Sequence, residues 1–247
     1  MTSNTIPQTI KSGESYILYD ASLLTRPSLD LFNPQWLAQH GKISRTGNGR
    51  GEAWFVDMNQ HHWVLRHYMR GGMVARFNRY HYLGWSLKTT RAWKEWRLLQ
   101  AMHDKGLTVP RPVAACVTWQ TGRLSGLYQA WLIIEKIPGA KTLAEILATT
   151  PASNDIWQSV GQCIRCFHNE NIFHADLNAN NILLDEHNTV FLIDFDRGEF
   201  RLDGSWKQSN LERLLRSLNK LQNIHTNFYF TKDNWQTLIQ AYQENIS

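Results

Sequence analysis

Two polar clusters separated by an apolar hairpin pattern constrain this 247-residue chain more than any other feature. Residues 174–181 have the sequence HADLNANN, and residues 194–196 have the sequence DFD. Between them, two short apolar runs flank a polar turn, a pattern that predicts two antiparallel strands. Because a hairpin returns the chain towards its start, we expect Asp194 to lie close to Asn181, with Asp176 in the loop just upstream.

The side chains of these clusters suit a metal-dependent reaction of a hydroxyl group. Asn181 and Asp194 offer hard oxygen atoms, and Mg²⁺ usually takes few such protein ligands together with phosphate oxygens. Asp176 is a separate carboxylate that can orient a hydroxyl group and accept its proton. We therefore predict Asn181 and Asp194 as metal ligands and Asp176 as the catalytic residue. We expect His174 to brace the loop and Asp196 to be a further ligand or a second brace.

A glycine-rich turn lies between two predicted strands in the first quarter of the chain. It carries Gly47, Gly49 and Gly51, and the strands on either side are followed by a third that ends near Arg66. Such a turn leaves backbone N–H groups free to approach phosphate oxygens. The spacing G-x-G-x-G is also that of a plain hairpin, so the turn alone leaves both interpretations open.

A helix is predicted between Thr90, as the N-cap, and Gly106, just beyond the C-terminal end. Glu95 lies on the apolar face of this helix. A lone carboxylate among apolar side chains is costly to bury unless it meets a cation. Arg66 lies in the right part of the chain to provide that cation, so we predict a pair between Arg66 and Glu95.

The pattern of predicted elements changes near residues 135–139. Five strands and one helix are predicted before Pro138, and mostly helices after it. We interpret residues 135–139 as a hinge between a β-rich N-terminal lobe, residues 1–137, and a short helical C-terminal lobe, residues 138–247. The predicted fold class is α+β, in a single compact domain of two lobes.

Charge and composition indicate an anionic partner. The formal net charge is +5 and the pI is about 9.2, which favours nucleotide, lipid headgroups or nucleic acid. Basic and aromatic residues are interleaved between about residues 67 and 89, where Arg70, Arg76 and Arg79 are candidates for contact with an anionic surface. A solvated basic face is the plainer interpretation, whereas contact with a membrane surface explains the aromatic residues as well.

Cysteines and hydropathy limit the cellular setting. The three cysteines do not make a disulfide framework, and Cys163 and Cys166 fall in a helical pattern without a second pair. No secretory signal opens the chain, and no apolar run approaches the roughly 20 residues that span a bilayer. We expect a protein of a reducing compartment, in the cytosol or attached to a membrane surface.

The two clusters together resemble the catalytic loop and the metal-binding motif of the protein-kinase-like fold. His174-x-Asp176-x-x-x-x-Asn181 is followed thirteen residues later by the DFD motif. The resemblance covers about residues 41–200 and implies ATP and Mg²⁺ as cofactors. It also implies nucleotide contacts by the glycine-rich turn, by Arg66 with its partner Glu95, and by the backbone of the hinge at Glu135 and Ile137. The residues of the turn are Gly47, Gly49 and Gly51.

Departures from the kinase pattern narrow this resemblance. Arg66 stands where strand three of a kinase supplies lysine, the metal motif is DFD rather than DFG, and the short tail contains no APE sequence. These departures argue against a protein substrate. The motifs LRHYxRGG, HADLNAxNILL and IDFDR closely resemble those of the 3-deoxy-D-manno-octulosonic acid (Kdo) kinases, which are related to the heptose kinases of lipopolysaccharide assembly.

That resemblance implies a specific reaction and place. The chain is expected to phosphorylate the 4-hydroxyl of Kdo on a lipid A precursor, an anionic glycolipid, with ATP as the donor. It is expected to work as a peripheral protein on the cytoplasmic face of the bacterial inner membrane, without nucleic acid or a protein partner.

Two other classes of function are compatible with parts of the pattern. Soluble kinases of the aminoglycoside or choline type share H-x-D-x-x-x-x-N, but they usually need acidic pockets for cationic acceptors. A non-catalytic module that binds anionic surfaces or nucleic acid would use the basic segment. The intact Asp176, Asn181 and Asp194 argue against the non-catalytic interpretation.

Overall fold

The computed structural model describes residues 5–45, 52–69, 81–120 and 122–244. The chain divides into two compact units. The first comprises Met1–Lys105 and Pro110–Lys136, and the second comprises Gly106–Val109 and Ile137–Ser247. The predicted α+β class is confirmed, with a large sheet in the first unit and most of the helical residues in the second. In the part of the chain that is described, no helix combines the length and the apolar character needed to cross a bilayer.

The first unit is built on an eight-stranded antiparallel sheet. Its strands are β1 (Pro7–Ser12), β2 (Ser15–Asp20), β3 (Lys42–Arg45), β4 (Glu52–Met58), β5 (His61–His67), β6 (Tyr82–Leu83), β7 (Pro112–Trp119) and β8 (Leu127–Glu135). Their order is β1-β2-β7-β8-β5-β4-β3, and β6 pairs with the N-terminal end of β8. Among the described residues of this unit, two α-helices accompany the sheet, α1 (Pro34–His40) beside β3 and β4, and α2 (Arg91–Asp104) against β7 and β8.

The alternation of side chains along β5 determines which of its residues lie on the same face of the sheet as Arg66. Trp63 and Leu65 are buried in an apolar cluster with residues of α1 and the short 3-10 turn before it. Successive side chains of a strand point to opposite faces, so Arg66 points to the other face of the sheet. The ends predicted for α2 are confirmed, since Thr90 is the N-cap and Gly106 has a left-handed φ of +77°.

The second unit combines four helices with short strands. The elements are β9 (Lys141–Thr142), α3 (Leu143–Leu147), α4 (Asn154–Asn169), β10 (Ile172–Phe173), β11 (Ile182–Leu184), β12 (Val190–Leu192), β13 (Glu199–Phe200), α5 (Trp206–Ile224) and α6 (Lys232–Gln243). Strands β12, β11 and β9 form one small sheet, and β10 pairs with β13. The hairpin predicted between the two polar clusters is confirmed as β11 and β12.

Helices α4 and α6 approach each other unusually closely at Gly161. A Cβ atom built there would lie 2.3 Å from the carbonyl oxygen of Leu238 in α6. Seven residues along α4, the buried His168 receives or donates a 2.9 Å hydrogen bond through Nδ1 to the Tyr242 hydroxyl of α6. Burial lowers the pKa of His168 to about 4. The helical placement predicted for Cys163 and Cys166 is confirmed, and both are free thiols.

Candidate active site

The hairpin brings the two polar clusters together at its open end. Beyond the last strand pair, the Ile193 amide donates a 3.0 Å hydrogen bond to the Asn181 carbonyl oxygen. Because Asp194 directly follows Ile193, which is hydrogen-bonded to Asn181, Asp194 lies close to Asn181 as predicted. Asp194 has a left-handed φ of +63°, which is uncommon for a residue other than glycine and is concentrated at functional sites.

His174 is a structural brace inside the second unit. Its Nδ1 accepts a 3.1 Å hydrogen bond from the Asp176 amide, so the proton lies on Nε2, which donates a 2.9 Å bond to the Ile193 carbonyl. The ring is 2% exposed, and burial lowers the pKa of its imidazole. Both nitrogens are thus used to join the loop to the hairpin, and the bracing role predicted for His174 is confirmed.

Phe195 fixes the middle of the DFD motif in the core. Its ring is buried, lies 5.7 Å from the Phe167 ring of α4 in a stacked arrangement, and lies 4.6 Å from His174. The apolar contact and the His174 bond therefore hold the chain on both sides of Asp194. Asp196 is half-buried, and its role stays a prediction.

One face of α5 holds the loop of residues 174–181 through polar contacts. The Asn210 carboxamide bonds both backbone groups of His174, accepting from the amide at 3.3 Å and donating to the carbonyl at 3.0 Å. The Ser217 hydroxyl accepts a 3.3 Å bond from the Ala179 amide. Between them on the same face, Arg213 contacts Asp176.

The two carboxylate oxygens of Asp176 have different surroundings. Nε of Arg213 donates to Oδ1 at 2.9 Å, and Nη2 donates to the same oxygen. The described residues provide no hydrogen-bond donor to Oδ2, and the side chain is 53% exposed. Oδ1 is therefore held in place while Oδ2 is accessible. A carboxylate that accepts a proton from a bound hydroxyl needs such an accessible oxygen.

Asn181 is oriented by its amide nitrogen. Nδ2 donates a 2.8 Å bond to the Asp176 carbonyl, and the residue is 8% exposed. Its Oδ1 accepts no hydrogen bond from the residues that the structure describes. An anchored carboxamide that keeps an oxygen for a ligand fits a hard cation such as Mg²⁺, and the Asp194 carboxylate is of the same chemical kind.

No cluster of three or more His, Cys, Asp or Glu side chains suited to a metal is found in the described ranges. A metal at Asn181 and Asp194 stays a prediction, and Mg²⁺ usually takes few protein ligands together with phosphate oxygens.

In the first unit, the pair predicted between Arg66 and Glu95 is confirmed. Nη1 of Arg66 lies 2.7 Å from Oε1 of Glu95, which is 2% exposed. The second carboxylate oxygen accepts a hydrogen bond from the Tyr68 hydroxyl, a partner that sequence reasoning missed. The signal was present, because Tyr68 lies two residues after Arg66 and so follows it on the same side of the chain. A phosphate contact of Arg66 stays a prediction.

The backbone of residues 135–137 has a single amide suited to an external acceptor. The Glu135 amide donates to the Arg111 carbonyl at 2.9 Å, and the Lys136 amide donates to the His62 carbonyl at 2.9 Å. The Ile137 amide has no acceptor within the described part of the chain. Of the predicted adenine contacts, a donated bond can therefore come from Ile137, and this contact stays a prediction.

Six predicted site residues lie outside the described residues. They are the turn glycines and the arginines of the basic segment: Gly47, Gly49, Gly51, Arg70, Arg76 and Arg79.

Comparisons with known proteins agree on one family. The profile of the lipopolysaccharide kinase (Kdo/WaaP) family matches residues 34–242. A 3-deoxy-D-manno-octulosonic acid kinase of Vibrio cholerae serotype O1 is 38% identical over 215 residues, which cover 86% of this chain and 89% of that protein. The kinase of the same name from Stenotrophomonas maltophilia is 41% identical over 211 residues, covering 85% and 82%. That of Actinobacillus succinogenes is 36% identical over 241 residues, covering 95% and 98%.

Proposed function

This chain belongs to the lipopolysaccharide kinase (Kdo/WaaP) family, and we propose on that premise that it phosphorylates the 4-hydroxyl of Kdo on a lipid A precursor. Family membership makes it an ATP-using phosphotransferase with an alcohol group as acceptor. The observation that carries the proposed site is the asymmetry of Asp176, whose Oδ1 is held by Arg213 while its Oδ2 is accessible. The oxygen of the Kdo hydroxyl attacks the γ-phosphorus of ATP, the bond from that phosphorus to the β,γ-bridging oxygen breaks and ADP leaves, and Oδ2 of Asp176 accepts the hydroxyl proton.

The polar residues of the hairpin end complete the reaction centre in this proposal. Asn181 and Asp194 would hold Mg²⁺, which supplies charge stabilisation to the phosphates when it is bound. His174 keeps its neutral form and its two hydrogen bonds, so it holds the loop and takes no part in proton transfer. Phosphoryl transfer depends mostly on positioning and charge, so rigid support of these groups is the main contribution of the chain.

The first unit contributes nucleotide contacts in this proposal. Arg66, positioned by the buried Glu95, contacts a phosphate of ATP, and arginine can do so in bidentate fashion. The turn predicted from the sequence at Gly47, Gly49 and Gly51 would contact the phosphates, and the Ile137 amide would donate to the adenine base.

A purified-enzyme assay with ATP and Kdo-lipid A precursor tests the catalytic assignment. General base catalysis contributes roughly 10²- to 10⁴-fold, so Asp176→Asn should lose that much of kcat with little change in the KM for ATP. Asp155→Asn, an exposed change in the first turn of α4, is the matched control. Near-normal turnover of Asp176→Asn would exclude Asp176 as the base. Turnover of choline or an aminoglycoside in place of the Kdo-lipid would overturn the proposed substrate.

The ligand assignments have separate readouts. Asn181→Ala should raise the Mg²⁺ concentration needed for half-maximal rate, whereas Arg66→Ala should raise the KM for ATP and leave the Mg²⁺ requirement unchanged. Arg66→Lys keeps the charge and should retain part of the ATP affinity. If Arg66→Ala left both kcat and the KM for ATP as in the wild type, Arg66 would serve only to pair with Glu95.

We also propose that the protein works on the cytoplasmic surface of the inner membrane. Arg70, Arg76 and Arg79 are the predicted contacts, and among the described residues that follow them in the sequence Leu83 (61%) and Trp85 (64%) are exposed. Exposed aromatic and aliphatic side chains near cations favour the headgroup layer, where each basic residue contributes about 1 kcal/mol.

Flotation with liposomes tests this location. Binding to anionic vesicles should exceed binding to neutral ones, should weaken in high salt, and should fall in an Arg70, Arg76 and Arg79 triple alanine variant. Equal flotation with neutral and anionic vesicles would contradict the proposal.

A further inference from the structure

We propose that Arg213 binds the carboxylate of the acceptor sugar while it holds the catalytic carboxylate of Asp176. The inference rests on the proposed function and adds to it a residue that selects for an acidic sugar. Arg213 lies on α5, 37 residues beyond Asp176 in the sequence, and belongs to none of the motifs on which the family resemblance depends.

The guanidinium of Arg213 is only partly used by Asp176. Nε and one N–H of Nη2 donate to a single oxygen, Oδ1. A guanidinium has five N–H donors, and Nη1 makes no hydrogen bond to the residues that the structure describes. The side chain is 46% exposed. The edge that includes Nη1 can therefore bind a second anion beside the one that Asp176 provides.

Arg213 is held in position, unlike an unconstrained arginine on a protein surface. Asn210 and Ser217, three residues before and four residues after it on α5, both bond the backbone of the catalytic loop. An exposed ion pair by itself contributes about 0–1 kcal/mol, too little to position a flexible side chain. Here α5 is tied on both sides of Arg213 to the loop that carries its partner, so the guanidinium stays beside Asp176.

The chemistry of the acceptor requires a cation at this place. The relatives are named as kinases of 3-deoxy-D-manno-octulosonic acid, and such an acid carries an ionised carboxylate on the same sugar as the hydroxyl. To deliver that hydroxyl to Oδ2 of Asp176, the enzyme has to bring two carboxylates close together, which is unfavourable without a compensating charge. Arg213 provides that charge, and a planar guanidinium can donate to a carboxylate from two nitrogens.

Binding the carboxylate also orients the sugar. If Arg213 joins Oδ1 of Asp176 to the acceptor's carboxylate, the hydroxyl is fixed relative to Oδ2 by a rigid group. A neutral sugar of the same shape lacks this contact. Arg213 then determines specificity as well as position, and it distinguishes an acidic acceptor from a neutral one before phosphoryl transfer.

A pair of matched acceptors tests the inference. The first is the Kdo-lipid A precursor, and the second is its Kdo methyl ester, which has the same hydroxyl groups but no charge at the carboxyl. A hydrogen bond to a charged group contributes enough to change affinity roughly 10- to 100-fold. The wild type should prefer the acid over the ester in kcat/KM by about that factor.

In Arg213→Ala this preference should fall close to one, mainly through a higher KM for the acid acceptor, with the KM for ATP unchanged. Arg213→Lys should restore part of the preference, because it keeps the charge without the planar donor pair. Arg216→Ala is the matched control: it lies one turn along the same helix, is 66% exposed, and contacts only Glu212 at 3.9 Å among the described residues. It should behave as the wild type.

The outcomes separate this inference from the proposed function. If Arg213→Ala lowered turnover of both acceptors equally and kept the preference, Arg213 would only position Asp176 and the inference would be wrong. A wild type that phosphorylates neither acceptor would overturn the proposed function and the inference with it. Thermal unfolding of all variants shows whether Arg213→Ala remains folded, and Arg213→Gln, a polar neutral replacement, gives the same test if it does not.

Discussion

Replacing Asn210 should strongly destabilise the second unit, because this one side chain satisfies two buried backbone groups. Asn210 is 2% exposed and bonds both the amide and the carbonyl of His174, which is itself buried. Asn210→Leu keeps a similar volume but removes a donor and an acceptor. Each buried backbone group left without a partner costs about 1–3 kcal/mol, so the two together should lower the free energy of unfolding by about 2–6 kcal/mol.

A control on the same helix isolates the hydrogen bonds from helix propensity. Asn219 is exposed on α5, and leucine favours a helix over asparagine by roughly 0.5 kcal/mol. Asn219→Leu should therefore be neutral or slightly stabilising, so the two substitutions are expected to differ in sign.

Two measurements check this prediction. Guanidinium unfolding followed by fluorescence gives the free energies, and hydrogen exchange with mass spectrometry reports the peptide that contains His174 and Asp176. Asn210→Leu should exchange faster there than the wild type and should also lose kcat, because the loop with Asp176 loses its anchor. Equal unfolding free energies and equal exchange in Asn210→Leu and Asn219→Leu would refute the role assigned to α5.

Two further predictions concern packing and pH. Gly161→Ala places a methyl group against the α6 backbone at Leu238, which cannot move aside as a side chain can, so it should lower the free energy of unfolding by about 1–3 kcal/mol, measured by thermal and chemical unfolding. Gly204→Ala, where the nearest atom is 3.7 Å away, should change it little, and equal losses would contradict the close approach. Because burial lowers the pKa of His168 from 6.5 to about 4, the unfolded chain takes up a proton between these values that the folded chain does not. Stability should therefore be full above pH 6.5 and fall by about 2 kcal/mol between pH 7 and 4.5; His168→Leu should show a shallower fall, and an unchanged slope would exclude this residue as a cause.

The predictable parts of the site were those with a local signal. Two short apolar runs on either side of a polar turn were sufficient to predict the hairpin of β11 and β12 and the approach of Asp194 to Asn181. Burial of a charge is costly, so Glu95 on an apolar helix face required a cation, and Arg66 was the suitable one. Both inferences follow from large free-energy terms, the burial of apolar side chains in the hairpin and the cost of burying an unpaired charge at Glu95.

The contribution of α5 could not be predicted in the same way. The helical spacing of its leucines is typical of a helix that covers a core, and Leu214 and Leu218 are buried. Asn210, Arg213 and Ser217 share a spacing of three and four residues, which indicates one polar face. Nothing in that spacing says which segment the face meets, because the partner loop lies more than 30 residues away and is chosen by tertiary packing.

Strand β1 was missed for a different reason. Five of its six residues are exposed and the sixth is half-buried, so no alternation of apolar and polar side chains marks it. It is held by pairing with β2 across the two-residue turn at Gly13, whose φ is +59°. An edge strand that is stabilised by backbone hydrogen bonds need not show an alternation of apolar and polar side chains.

The anchoring of the loop of residues 174–181 also bears on how such a site can be transplanted. The bonds from Asn210 and Ser217 end on main-chain atoms of His174 and Ala179, which any amino acid except proline would offer. The sequence HADLNANN therefore encodes only part of its own conformation, through the bonds that His174 and Asn181 make within it. Grafted into another scaffold it would keep its reactive groups and lose the part of their arrangement that α5 provides, so the transferable unit for enzyme design is the loop together with α5.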